Sequence, residues 1–186
     1  MKKNVSILLI LLCILVIFAS ILFAEEVKYD FRKTNWGMNK EQVKATEDNK
    51  LGNKLSYEDN NILGYEMYVY EKYSRCAYYF LEDKLYQGRY TLNDVTHTEE
   101  TDYIYDYKFF KEILIKKYGK PKIMGSLPPG SAFLDYWVSW ETSTTKIELM
   151  LTTDNNNALK LFLSYISKEL EEWVKQTEKK EASNVF

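Results

Sequence analysis

The chain predicts an α+β fold of two consecutive α-β-β-β units with antiparallel sheet, followed by a C-terminal helix. Three observations carry this. Capped helix starts occur at Asn39 and again at Thr101–Asp102. After each come three segments in which apolar and aromatic residues alternate with period 2, the pattern of a strand. Within each group the breaks are short and polar, and strands joined by short turns pair antiparallel.

In the first unit, Asn39 is a good N-cap, and Gln42 lies three residues on, where its side chain reaches back to the cap N–H. Met38 and Val43 flank the cap as a hydrophobic staple, so a short helix runs from Lys40 to about Glu47. The polar stretch 48–61, with Gly52 and several Asn, reads as a loop. Strands follow at Gly64–Glu71, Arg75–Leu81 and Leu85–Leu92, the last two joined as a hairpin by Glu82-Asp83-Lys84.

The second unit repeats the order. After a polar loop at Asp94–Thr101, Tyr107, Phe110, Leu114 and Tyr118 recur at helical spacing in a helix predicted from Tyr103 to Tyr118. Lys116 and Lys117 complement its last turn, Gly119 fits the left-handed position after it, and Pro121 blocks continuation. Ile123–Phe133, with two prolines and two glycines, reads as an irregular loop. Strands are predicted at Leu134–Glu141, Lys146–Thr152 and Ala158–Ile166. A last helix from Ser167 to about Lys180 has acids early, lysines late, and an apolar stripe of Leu170, Trp173 and Val174. The domain then spans 36–166, with repeats at about 36–92 and 102–166, a linker over 25–35 before it and a helix and tail over 167–186 after it.

The N-terminal segment stands apart. Lys2 and Lys3 precede an uncharged run from Val5 to Phe23, then Ala24 and the pair Glu25-Glu26. A basic start, an apolar core and a small residue at the cut fit a signal peptide. A run of this length also meets the roughly 17–25 residues of a membrane anchor. Both readings place the remainder outside the cytoplasm, secreted, periplasmic or tethered, with lysines inside and carboxylates outside.

Beyond residue 24 the chain has one domain's worth of residues. The leader holds two of the 25 basic residues and none of the 27 acidic ones, so the remainder carries 23 against 27, a net charge of −4. That balance argues against nucleic acid and against a basic face on anionic lipid, so membrane contact is expected only through the N-terminal segment. Cys76 is the one cysteine left, since Cys13 lies in the apolar run, and no internal disulfide forms.

Few residues suggest chemistry. His97 is the only histidine and sits in a polar loop, without a second ligand at metal spacing. Cys76 falls in mid-strand, as a structural cysteine does. Asp154–Asn157 lacks the spaced oxygens of a calcium loop and reads as a hairpin turn. There is no Gly-rich phosphate cradle. No metal, cofactor or catalytic set is expected.

The tyrosines are the anomaly: nine of the 16 fall between Tyr57 and Tyr90. Alternation sets Tyr68, Tyr70 and Tyr79 opposite the core-facing residues, with Tyr73 beside them. Trp137 and Trp140 lie on opposite faces of their strand, so one of them can join that surface; Trp137 is the candidate. Cross-strand packing accounts for such residues. So does a partner-binding surface, because tyrosine offers large contact area at low entropic cost.

Trp36-Gly37-Met38-Asn39-Lys40-Glu41-Gln42-Val43, Lys84-Leu85-Tyr86 and Lys117-Tyr118-Gly119-Lys120-Pro121 together resemble a group of uncharacterised bacterial exported proteins with a Trp-Gly-Met helix start. The helix opening and the Tyr-Gly-x-Pro ending are similar in style to small outer-membrane assembly lipoproteins. The order of elements resembles β-lactamase inhibitor proteins, tandem helix-and-sheet modules with an aromatic face. The lipid-attachment cysteine of the former and the disulfides of the latter are absent here, and no residue roles carry over. The resulting expectation is a non-enzymatic extracytoplasmic module, in the bacterial envelope or outside it, that binds a protein or envelope component. An inhibitor of an envelope hydrolase, presenting Ile123–Phe133, and an enzyme with a carboxylate site are the alternatives.

Overall fold

In the computed structural model, which describes residues 28–48, 52–92, 100–126, 136–153 and 158–183, the sequence folds as an α+β protein. Helix α1 spans Lys40–Glu47, α2 Glu100–Tyr118 and α3 Lys168–Ser183. The strands are β1 (Lys54–Glu58), β2 (Ile62–Val69), β3 (Lys72–Leu81), β4 (Lys84–Leu92), β5 (Ile123–Ser126), β6 (Tyr136–Glu141), β7 (Thr145–Thr153) and β8 (Leu159–Ser167). Residues 1–24, His97 and Asp154–Asn157 lie outside the described residues, as does most of the loop predicted at Ile123–Phe133. Among the described residues no helix is long and apolar enough to cross a membrane.

Each half is a helix followed by four strands rather than three. The additions are β1, inside the stretch read as a loop, and β5, at the start of the proline-containing stretch. Both are edge strands, and β1 is exposed at every residue. An edge strand needs no alternating apolar face, so period-2 reasoning passes over it.

The α1 start forms as expected. Asn39 accepts from the Gln42 N–H at 2.9 Å, and the Gln42 side chain accepts from Asn39 N–H at 2.9 Å. Lys40 N–H donates to Asp83 Oδ1 at 3.0 Å, which ties the helix to the β3–β4 turn.

All eight strands join one antiparallel sheet in the order β1-β2-β3-β4-β8-β7-β6-β5. The two four-stranded meanders meet at β4 and β8, paired from Gln87↔Ile166 to Leu92↔Leu161. Two turns are tight. Tyr70-Glu71 joins β2 to β3, Glu82-Asp83 joins β3 to β4, and all four residues have positive φ. That is the conformation a two-residue hairpin of type I′ demands, here reached without glycine.

The inner face carries the core. Leu63, Tyr65 and Met67 of β2, Cys76, Tyr78 and Phe80 of β3, Leu149 and Leu151 of β7 and Leu161 and Leu163 of β8 are all buried there. Helices α1 and α2 cover this face. Val43 and Glu47 come from α1, and Tyr107, Phe110 and Leu114 from α2. Helix α3 instead turns onto the outer face, where Glu171 lies 3.8 Å from Lys146 and Trp173 lies under the Lys84 ammonium at 5.3 Å. Val174 is buried but stands outside the main core cluster.

The segment 28–35, expected as a linker, is part of the fold from Asp30 onward. Phe31, 2% exposed, inserts among the rings of Tyr78, Tyr90 and Tyr165 with centroids 5.2–5.3 Å away. The same segment and the adjoining Trp36 reach the second half: Thr144 Oγ1 donates to Asp30 Oδ1 at 2.7 Å, and Trp36 Nε1 donates to Thr145 Oγ1 at 3.0 Å. It therefore clamps the two meanders together.

Candidate functional site

The outer face is the candidate surface. Strand alternation and the ladder registers place Glu66, Arg75, Thr91, Phe162, Met150 and Trp137 in one row across β2, β3, β4, β8, β7 and β6. The neighbouring row runs Ala77, Arg89, Ser164, Glu148 and Ser139. Helix α3 lies beside Lys84 and Lys146, toward one end of these strands, and Tyr68 and Tyr73 stand at the other end.

Of the sequence-derived residues, Tyr68, Tyr79 and Trp137 share this face. Tyr68 is 71% exposed and meets Tyr73 edge-to-face at 6.0 Å. Tyr79 is half-buried and pairs with Ile62 and Gln87 on the neighbouring strands. Trp137 is half-buried in β6. Five strand steps separate β2 from β6, roughly 24 Å at about 4.8 Å a step, so Trp137 and Tyr68 can share only an extended partner. Tyr70 is elsewhere. It occupies the β2–β3 turn, and its ring sits 6.0 and 6.1 Å from Phe109 and Phe110 of α2, on the helix-covered side. A turn residue does not follow the strand's alternation, and that moved it.

The structure adds Arg89. Its guanidinium lies 5.3 Å from the Tyr79 ring centre and 5.4 Å from that of Phe162, with Nε donating to Ser164 Oγ at 3.2 Å. Among the described residues it forms no ion pair. Two rings and one hydroxyl thus hold a flat, permanently charged group in a fixed orientation, with its terminal N–H donors uncommitted among the described residues. Arginine planes held this way suit bidentate carboxylate recognition. The signal was present in the sequence as the polar stripe Gln87, Arg89, Thr91 alternating with Gly88, Tyr90 and Leu92.

The buried charges of the inner face are structural. Glu47, fully buried, takes a two-point contact from Arg32 (Nε to Oε1 and Nη2 to Oε2, both 3.1 Å), plus Tyr78 Oη and Asn53 Nδ2 at 2.6 Å each. Asp106 pairs with Lys72 at 2.7 Å. Burial, with Cys76 and Glu47 nearby, pushes the Tyr78 phenol far above its ordinary value. No group of three or more His, Cys, Asp or Glu suited to a metal occurs among the described residues. Cys76 is buried in β3 and forms no disulfide among the described residues.

No family model, no curated protein and no solved structure matches this chain.

Proposed function

We propose that this chain is a non-enzymatic, extracytoplasmic binding module that engages a protein or envelope component through the outer face of its sheet. The observation that carries the reading is Arg89, clamped between Tyr79 and Phe162 on the same face as exposed Tyr68. Arginine and tyrosine dominate binding hot spots because they combine large contact area with directed hydrogen bonds. An ordered guanidinium with no carboxylate partner among the described residues selects acidic groups on whatever docks there. The N-terminal sequence supports the compartment, since both readings of residues 1–24 place the domain outside the cytoplasm.

The test is capture from an envelope fraction with the exported domain and two variants, Arg89→Ala and Tyr68→Ala. The reading expects a stoichiometric partner retained by the parent and lost by both variants, with unchanged thermal unfolding. Capture that survives both changes in folded protein would overturn it. Turnover of an envelope substrate abolished by a single Asp or Glu change would replace it with the enzymatic alternative. Loss of a hydrolase's activity on adding the domain would identify the partner as an inhibited enzyme.

A further inference from the structure

A second site lies on the other side of the sheet, at the seam between the halves. A slot of about 250 Å³ opens between α2 and the N-terminal segment. Its floor is formed by Tyr90 of β4 and Tyr165 of β8, the two strands that join the meanders. Phe31 makes one wall and Ile113 of α2 another, with Tyr70 and Lys117 at the mouth.

The walls favour a flat ring. Aromatic side chains contribute through offset and edge-to-face contacts, and Phe31, Tyr70 and Phe110 provide both faces and edges here. The volume is just below the roughly 300 Å³ at which drug-sized ligand sites begin, so it suits one ring with a short arm.

The polar groups set the ends. Several lining groups are committed within the protein. Arg32 is held by Glu47, and Asp30 accepts from Thr144 and from Trp36 N–H. Tyr165 is paired with Tyr118. Two groups set the polar ends of the slot. The buried Tyr90 hydroxyl accepts from Arg32 Nη1 at 3.3 Å, and its own proton has no acceptor among the described residues. The Lys117 ammonium lies 5.0 Å from the Tyr118 ring and forms no ion pair among the described residues. A buried donor left without an acceptor costs free energy that a ligand acceptor recovers. One end of the slot therefore offers a neutral donor, the other a cation.

We infer that this slot binds a small aromatic acid, with its ring against Phe31 and α2, a hydrogen-bond acceptor on Tyr90 and its carboxylate at Lys117. The slot and the Arg89 surface lie on opposite faces of the sheet, so either can be occupied without the other.

The test titrates 4-hydroxyphenylacetate into the full chain, with p-cresol as the neutral comparison, following the methyl resonances of Ile113, Leu114 and Leu163. The acid is expected to bind saturably with a Kd of about 1 mM or tighter. Lys117→Met should weaken the acid about three- to five-fold, the scale of an exposed ion pair, and leave p-cresol unchanged. Tyr90→Phe keeps the shape of the floor and should weaken both. Ile113→Trp should fill the slot and abolish both; Tyr90→Phe carries the test if that variant fails to fold. Absence of saturation by about 10 mM of either compound would overturn the inference. Equal loss of both ligands in Lys117→Met, or binding that persists in folded Ile113→Trp, would do the same.

Discussion

Phe31 rests on Gly88: a methyl group built on the glycine would stand 2.1 Å from Phe31 Cδ1 and 2.2 Å from Cε1. Gly88 lies on β4 opposite Tyr165 of β8, at the seam, so the clearance for one aromatic ring is set where the halves join. The ring bridges the two halves and closes one side of the slot. Gly88→Ala should destabilise the domain by about 2–3 kcal/mol through overpacking, and Phe31→Ala by about 3–5 kcal/mol through the cavity it leaves. The double variant should lose clearly less than the sum, since removing the ring removes the clash. Urea unfolding of the four proteins measures this. Additive losses would show that the contact does not carry the effect.

Glu47 anchors α1 to the sheet and to the N-terminal segment at once. Its carboxylate meets Arg32, Tyr78 and Asn53 while fully buried. Glu47→Ala leaves the largely buried Arg32 guanidinium without its counter-charge and should cost about 3–5 kcal/mol. The paired change Arg32→Met with Glu47→Leu should cost much less, because no charge is stranded. Denaturant midpoints of the single and paired variants discriminate these outcomes.

The tyrosines give a test in alkali. Burial holds the phenols of Tyr65, Tyr78 and Tyr90 above the ordinary value, and that of Tyr107 is pushed up to about 12 by burial and by Tyr136. A phenol whose folded value exceeds its unfolded value of about 10 gives stability fully present below pH 10 and lost as pH rises toward the folded value. Absorbance at 295 nm should therefore show two phases. The buried group, Tyr65, Tyr78, Tyr90 and Tyr107, ionises in the later phase, together with loss of the far-UV dichroism of secondary structure. A single phase that leaves the dichroism intact would contradict the burial of these rings.

The β2–β3 turn should tolerate glycine at one position and not at its neighbour. Glu71 has φ 65° and is exposed, so Glu71→Gly removes a left-handed strain of about 1–2 kcal/mol against an entropic cost of about 0.5–1. A gain of about 0.5–1 kcal/mol is expected in urea unfolding. At Tyr70, with φ 49°, the same relief is offset by losing the ring contacts with Phe109 and Phe110. Tyr70→Gly should therefore not stabilise.

Tyr68 and Tyr70 are nearly equally exposed, at 71% and 61%, yet belong to opposite sides of the sheet. Tyr68→Ala should change unfolding stability by no more than about 0.5 kcal/mol, as an exposed strand residue does. Tyr70→Ala should widen the mouth of the aromatic slot and weaken p-cresol binding. A Tyr68→Ala variant that unfolds would make that face core rather than surface.

Much of this fold was legible in the chain. The α1 cap appears residue for residue, because Asn39 and Gln42 satisfy each other locally. Six strands were readable because one face of each is buried and the alternation survives in sequence. The edge strands β1 and β5 were not: β1 is exposed throughout and has no such face to declare, and β5 lies at the opposite edge inside a proline-containing stretch. The Arg89 clamp was half legible. Its polar stripe is local, but Phe162 lies 73 positions away and reaches it only through the β4–β8 pairing.

By itself the sequence determined the local elements, the twofold order, the apolar faces and the aromatic wealth of β2 to β4, since caps, turns and period-2 patterns act over a few residues. Tertiary structure alone decided four things: that the halves share one sheet, that Phe31 closes the seam over Gly88, that α3 crosses to the outer face, and that Tyr70 turns away from Tyr68. Each depends on contacts between residues far apart in the chain or on a turn that resets strand direction, and neither leaves a periodic trace in sequence.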